Sequence, residues 1–340
     1  MRRAVIPTLA AAMLLGYLPS AGGEAPEVRR ISIAFGGDVH GENPIANTIR
    51  AGINPLGAAI PLLSAADIAV VNLETAVSAR GTAREKQYTF RTSPALLGML
   101  RSGGVDLVSV ANNHAYDFGG GAFADTLKSI DTAGLISVGG GVSADAAYAP
   151  AIIEQNGVRV GFLGIARVHG GPGAVASETR AGTTDGWNLV ATTRAIRAAK
   201  KQVDVVVVLA HWGEENSHCP RGVEVAVAKE WVKAGANIIV GGHPHVIQKI
   251  EEQPNALIAY SMGNFVFYAH RADAVRTGVL TVDITIADAS TPGARSVQIT
   301  PVFEPLRINP KSGSLRVTTA EERKRDLSDL RAYGNEFCKR

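Results

Sequence analysis

Five short apolar runs, rich in valine and isoleucine, each end in a cluster of polar side chains, and helical stretches separate them. Runs of this kind predict strands buried on both faces, and their alternation with helices predicts a layered α/β architecture. Ile31 to Phe35 precedes Asp38-Val39-His40, and Ile68 to Val71 precedes Asn72-Leu73-Glu74. Leu107 to Val110 precedes Asn112-Asn113-His114, Val203 to Ala210 precedes His211, and Asn237 to Val240 precedes His243-Pro244-His245. Helices are expected over Leu56 to Ala66, from Pro94 to Ser102, and over Gly121 to Ala133, Leu189 to Gln202 and Gly222 to Ala234. Ala151 to Ile165 predicts a hairpin turned at Asn156-Gly157. Two further strands are expected between Gly278 and Glu304, and the last twenty residues predict a charged helix or a loose tail. The late run of strands calls for a second sheet, so a sheet-on-sheet core flanked by helices fits best.

Residues 1–23 have the form of an export signal: Arg2 and Arg3 lead a short apolar stretch, followed by small residues suited to cleavage. The expected division is therefore a signal over 1–23, one domain over 28–305 and a charged tail over 306–340, with the mature chain at the periplasm or cell surface. No later apolar run is long enough for a membrane helix. The formal net charge of +3 falls to about +1 without Arg2 and Arg3, which leaves no basic footprint for nucleic acid. Two cysteines exclude a disulfide-dense scaffold and a four-cysteine zinc site. In an oxidising compartment Cys219 and Cys338 form one bridge or stay as two thiols, and their spacing does not decide between these.

The polar clusters fall at the carboxyl ends of strands, where open α/β sheets build their sites. They hold five of the eight histidines. Any one cluster could be a turn or a cap, but five such accidents would have to coincide. Imidazole, carboxylate and amide oxygen together suit Mn2+, Fe2+ or Zn2+. The spacings D-x-H and H-x-H send alternate side chains to one side of an extended segment. A carboxylate such as Glu74 can bridge two ions, and two ions can share a hydroxide and stabilise displacement at phosphorus or an acyl carbon. His114, beside the ligand candidate Asn113, is placed to give a proton to a leaving group. Asn72, Asp117, Glu214, Glu215 and Asn264 are weaker candidates for supporting the ligands or touching substrate.

The ordered segments G-D-V-H, N-L-E, N-N-H-A-x-D, H-W-G-E-E, G-G-H-P-H-V and S-M-G-N-F-V-F resemble the CapA family. This is the poly-γ-glutamate capsule-synthesis group within the calcineurin-like metallophosphoesterase superfamily. The resemblance runs from about Ile31 to Phe267. It implies a four-layer α-β-β-α sandwich with a paired-metal site at the sheet edge. Carried over by motif, one ion takes Asp38, His40, Glu74 and His245, and the other takes Glu74, Asn113, His211 and His243. His114 is then the acid. Glu74 stands where the wider superfamily has aspartate, Ala115 stands where it has an acid after the histidine, and Asp117 is the nearest substitute. Position 40 is often apolar in this family, so His40 brings the chain nearer to the working phosphoesterases. The implied role is a metal-dependent hydrolase acting on an anionic envelope polymer, poly-γ-glutamate, beside capsule-synthase partners. The rival expectations are a non-catalytic envelope accessory protein and a periplasmic phosphoesterase with a phosphoester substrate and no link to capsule.

Overall fold

The computed structural model describes residues 28–288, 295–335 and 338. The export signal expected over 1–23 lies outside the described residues. Strands β1 (Val28–Val39), β2 (Ile68–Leu73), β3 (Leu107–Ser109) and β4 (Ile136–Val138) run parallel in that order. A second set, β5 (Ala151–Gln155), β6 (Val158–Ala166), β7 (Val205–His211), β8 (Ile238–Gly242), β9 (Ile250–Gln253) and β10 (Ala256–Ala259), makes a six-stranded sheet in the order β9-β10-β8-β7-β6-β5. Its central members β6, β7, β8 and β10 are parallel. The chain then returns to the first sheet with β11 (Asn264–Val266), β12 (Arg276–Asp288), β13 (Arg295–Ile308) and β14 (Leu315–Val317). β12 pairs antiparallel with β1 from Val28 to Phe35, and β11 takes over as parallel partner at Asp38 and Val39.

Alternation of side chains explains the layering. Ile31, Ile33 and Phe35 of β1 face Val160, Phe162, Val205, Val207 and Leu209 of the other sheet in one buried cluster. Ala34, Ala69, Val71 and Val108 point the opposite way, onto helices α1 (Ala95–Ser102) and α2 (Gly119–Thr132). In the second sheet Val206, Val208, Ile239 and Ile258 pack on α3 (Leu189–Lys200) and α4 (Gly222–Ala234) through Ile196, Ala199, Ala228 and Trp231. The central strands of both sheets are thus buried on both faces, as the continuous apolar runs require, and the fold is a four-layer α-β-β-α sandwich. The hairpin turns at Asn156-Gly157, both with positive φ (53° and 72°), as the primed turn demands.

The boundary expected at residue 305 falls inside β13, which continues to Ile308. Helix α5 (Ala320–Asn335) follows β14 and lies against β13. Its Asp326 is buried and holds the buried Arg307 guanidinium, with Arg307 Nη2 donating to Oδ1 at 2.8 Å. Cys338 is joined by a disulfide to Cys219, with their Cα atoms 5.4 Å apart. No helix among the described residues is long and apolar enough to cross a membrane.

Candidate metal centre

The carboxyl ends of β1, β2, β7 and β8 meet at one edge of the sandwich, and the buried side chains of Asp38, Glu74, His211 and His243 converge there. Ligand atoms of Glu74, His243 and His245 lie within 4.8 Å of one another, as do those of Asp38, Glu74 and His211. Glu74 belongs to both groups.

Glu74 is fully buried, and neither of its carboxyl oxygens has a hydrogen-bond partner among the described residues. His243 Nδ1 is likewise buried and unpartnered. Buried polar atoms are ordinarily satisfied, because an orphan costs about 1–3 kcal/mol. Orphaned carboxylate oxygens beside a bare imidazole nitrogen are what a divalent cation would satisfy, and the donor set of oxygen and imidazole nitrogen fits one. His243 and His245 also hold positive φ (93° and 58°), a conformation side chains with a Cβ adopt at a cost and which clusters at functional sites.

Neighbouring groups orient the ligands. Asn72 Nδ2 donates to Asp38 Oδ1 at 2.8 Å and reaches His211 Nδ1 at 3.3 Å. Asn112 Nδ2 in turn donates to Asn72 Oδ1 at 3.0 Å. Asn113 Oδ1 lies 2.8 Å from His211 Nε2. Asn264 Nδ2 donates to the carbonyls of His245 and Ala274, so its Oδ1 faces His245 Nδ1 at 2.9 Å. That acceptor, with Asp38 Oδ2 at 3.4 Å, puts the His245 proton on Nδ1 and turns Nε2 to the centre. Electrostatics separates the histidines. Burial, then the neighbouring His211 and His245, pushes His243 down to about 2. Burial alone would lower His245, but the carboxylates of Glu74 and Asp38 outweigh it and carry it up to about 9. Asp38 is raised by burial and lowered more by His245, His211 and Asn72, ending at about 2.

His40 does not join the two groups. Its buried ring stacks on Phe90 at 4.6 Å, with Phe267 and Tyr268 edge-on, and its nitrogens face the backbone N–H groups of Glu42 and Tyr268 at 3.1 Å each. Phe90 and the two aromatics that follow β11, Phe267 and Tyr268, enclose the imidazole and hold it apart from the cluster. The others gather as one cluster, with Asp38 beside both His211 and His245, and His243 beside both His211 and His245.

His114 stands at the edge of the centre, with Nε2 3.9 Å from Glu74 Oε1. Its Nδ1 is 2.7 Å from Asp117 Oδ2. A carboxylate only accepts, so Nδ1 carries the proton and Nε2 faces the metal ligands. A cleft of 280 Å³ opens beside His114 and His245, walled by Tyr88, Phe90, Phe267, Tyr268, Arg271 and the exposed Glu215. Glu214 is exposed and does not line it. Sequence reasoning passed over Lys86 and Phe90, and named Asn112 only as part of the Asn112-Asn113-His114 cluster. Only Asn112 carried a signal, its place beside Asn113; Lys86 and Phe90 lie in a stretch without regular secondary structure.

The family model described as bacterial capsule synthesis protein PGA_cap matches residues 32–269, the span that carries this edge. The chain belongs to that family. It is similar to the PGA biosynthesis protein CapA of Bacillus subtilis, 34% identical over 210 residues, covering 61% of this chain and 55% of that protein. It is also similar to the capsule biosynthesis protein CapA of Bacillus anthracis, 37% identical over 172 residues, covering 49% of this chain and 41% of that one. The chain thus spans about half the length of these two relatives. Among solved structures it is similar to the NAD nucleotidase of Haemophilus influenzae, at 14% identity and a TM-score of 0.48, covering 90% of this chain and 56% of that one.

Proposed function

We propose that this protein is an exported, two-metal hydrolase that cuts or trims an anionic envelope polymer, with poly-γ-glutamate as its substrate. The observation that carries the proposal is Glu74, buried and without a hydrogen-bond partner for either oxygen amid His211, His243 and His245. The names of the two Bacillus relatives, a PGA biosynthesis protein and a capsule biosynthesis protein, support the polymer; a place beside capsule-synthase partners is part of the same proposal. Glu74, His243 and His245 would hold one divalent ion, and Asp38, Glu74 and His211 the other, with Asn113 against His211. The ions are Mn2+, Fe2+ or Zn2+, for which nitrogen and oxygen donors without thiolate are suited. When bound, such a pair supplies a Lewis acid and lowers the pKa of a water molecule.

The chain's own residues do the rest. The cleft beside His245 receives the segment of polymer to be cut, and its open mouth admits a long chain. Water adds its oxygen to the scissile acyl carbon and gives up a proton to solvent. The bond to the leaving nitrogen breaks with its electron pair on that atom; His114 acts in this step as the imidazolium, its Nδ1–H held by Asp117, gives its Nε2 proton to that nitrogen and takes another from solvent before the next turnover. Asp117 holds His114 in the orientation this needs.

Elemental analysis of untagged protein, with Asp38→Ala and His243→Ala beside it, tests the site: metal lost in both variants supports it, and unchanged content in both rejects it. A panel of γ-glutamyl peptides, phosphodiesters and phosphomonoesters offered to the Mn2+-loaded protein tests the substrate. Turnover of phosphoesters alone would instead favour a phosphoesterase unconnected with capsule. A non-catalytic accessory role is the reading that the placement of His40 favours. Turnover that disappears in His114→Ala rejects it.

A further inference from the structure

The segment from Arg84 to Phe90 has no regular secondary structure, yet it grips the loop that carries His114 through Arg84, Lys86 and Phe90. The Arg84 backbone N–H donates to the Asp117 carbonyl at 2.9 Å. The Lys86 ammonium lies 2.6 Å from Asp117 Oδ1 and donates to the Asn113 carbonyl at 2.9 Å. The Phe90 N–H donates to Asp117 Oδ2 at 2.7 Å, and the Phe90 ring stacks on His114 with centroids 4.1 Å apart. Asp117 is fully buried, whereas the Lys86 side chain keeps 25% of its surface exposed.

From this geometry we infer that Lys86 is a positioning residue for His114. The inference rests on the functional reading above, in which His114 protonates the leaving group. Pinning Oδ1 fixes the rotation of the Asp117 carboxylate, so that Oδ2 points at His114 Nδ1 and at the Phe90 N–H. The bond from Lys86 to the Asn113 carbonyl holds the peptide that links Asn113 to His114. Between them these contacts set where His114 Nε2 points. Lysine suits the place because its compact, flexible ammonium reaches a carboxylate and a carbonyl on the same loop at once. A buried carboxylate stripped of its counter-charge is free to rotate or to draw in water, and His114 then loses its orienting partner.

The test uses Lys86→Met and Lys86→Arg beside His114→Ala and Asp117→Asn. Its first readout needs no activity: the hydrogen-bonded Nδ1 proton of His114, observed in the downfield proton NMR spectrum and assigned by its absence in His114→Ala. It should vanish in Lys86→Met and Asp117→Asn and persist in Lys86→Arg, with melting temperature and metal content near wild type. Persistence in Lys86→Met overturns the inference. The second readout compares Mn2+-loaded protein on γ-glutamyl-4-nitroanilide, whose leaving group needs little protonation, with γ-glutamyl-methylamide, whose leaving group needs it. Lys86→Met should lose about 10- to 100-fold in kcat on the methylamide, against less than about 3-fold on the nitroanilide, with KM unchanged. An equal loss on both substrates overturns the inference. If His114→Ala turns over both as well as wild type, the functional reading falls instead, and the NMR signal still decides whether Lys86 orients His114.

Discussion

His243 donates its backbone N–H to Asp38 Oδ2 across 3.1 Å, and in doing so ties the carboxyl edge of one sheet to that of the other. The approach depends on Gly242, where an added Cβ would collide with Asp38 Oδ1. Gly242→Ala should therefore push Asp38 aside, destabilise the protein by about 1–3 kcal/mol and lower its metal content. Thermal melting and elemental analysis of the purified variant check both outcomes.

The orphaned oxygens of Glu74 predict that chelation weakens the fold. A ligand bound only to the native state, present at 100 to 1,000 times its dissociation constant, stabilises by about 3–4 kcal/mol. EDTA should lower the melting temperature of wild type, and Mn2+ should restore it. Glu74→Gln should melt at the same temperature with and without EDTA.

His40 sits in an aromatic slot apart from the two ligand groups. His40→Leu should keep its metal content while losing about 1–2 kcal/mol of stability through the lost stacking. A metal content halved or worse in this variant would return His40 to the ligand set.

The disulfide between Cys219 and Cys338 closes a sequence separation of 119 residues. Closing so long a loop stabilises by about 2–4 kcal/mol. Cys338→Ser should melt lower, and proteases should cut at α5 sooner, while the metal-bound fraction stays the same. Mass spectrometry before and after reduction confirms the bridge in wild type.

Glu322 anchors the start of α5. Its carboxylate takes two bonds from Arg316 at 2.7 and 2.9 Å and one from the Thr319 N–H at 2.8 Å. Arg316 first, then Thr319, lowers its pKa from 4.5 to about 2, against a small opposing effect of burial. A carboxylate lowered on folding contributes stability that is complete above 4.5 and is lost as pH falls towards 2. Solvent screening limits the contribution to about 1 kcal/mol. Wild type should lose that margin over Glu322→Gln between these pH values, as seen in paired urea titrations at pH 6 and pH 3.

Much of the molecule was legible beforehand. Val205–His211 is a strand because an unbroken valine run admits burial on both faces, and its final residue turns into the site as its position at the strand end indicated. Other features were not. His40 and Asp38 share the D-x-H spacing, and a local rule sends both to one side. The wall of Phe90, Phe267 and Tyr268 comes from distant segments, and its packing takes His40 out of the cluster. The charged composition of the last residues gave no sign that Arg307 and Asp326 would pair in a buried contact and fasten α5 to the sheet.

The sequence by itself determined the layered fold, the strand ends at which polar groups collect, and the chemical character of those groups. These follow from side-chain alternation and residue type, which act over a few neighbouring residues. Only the tertiary structure decided that Asp38, His211, His243 and His245 gather around Glu74. It also decided that Lys86 reaches Asp117 and that Cys338 reaches Cys219. These contacts join segments brought together by the packing of two sheets, and no spacing along the chain encodes that register.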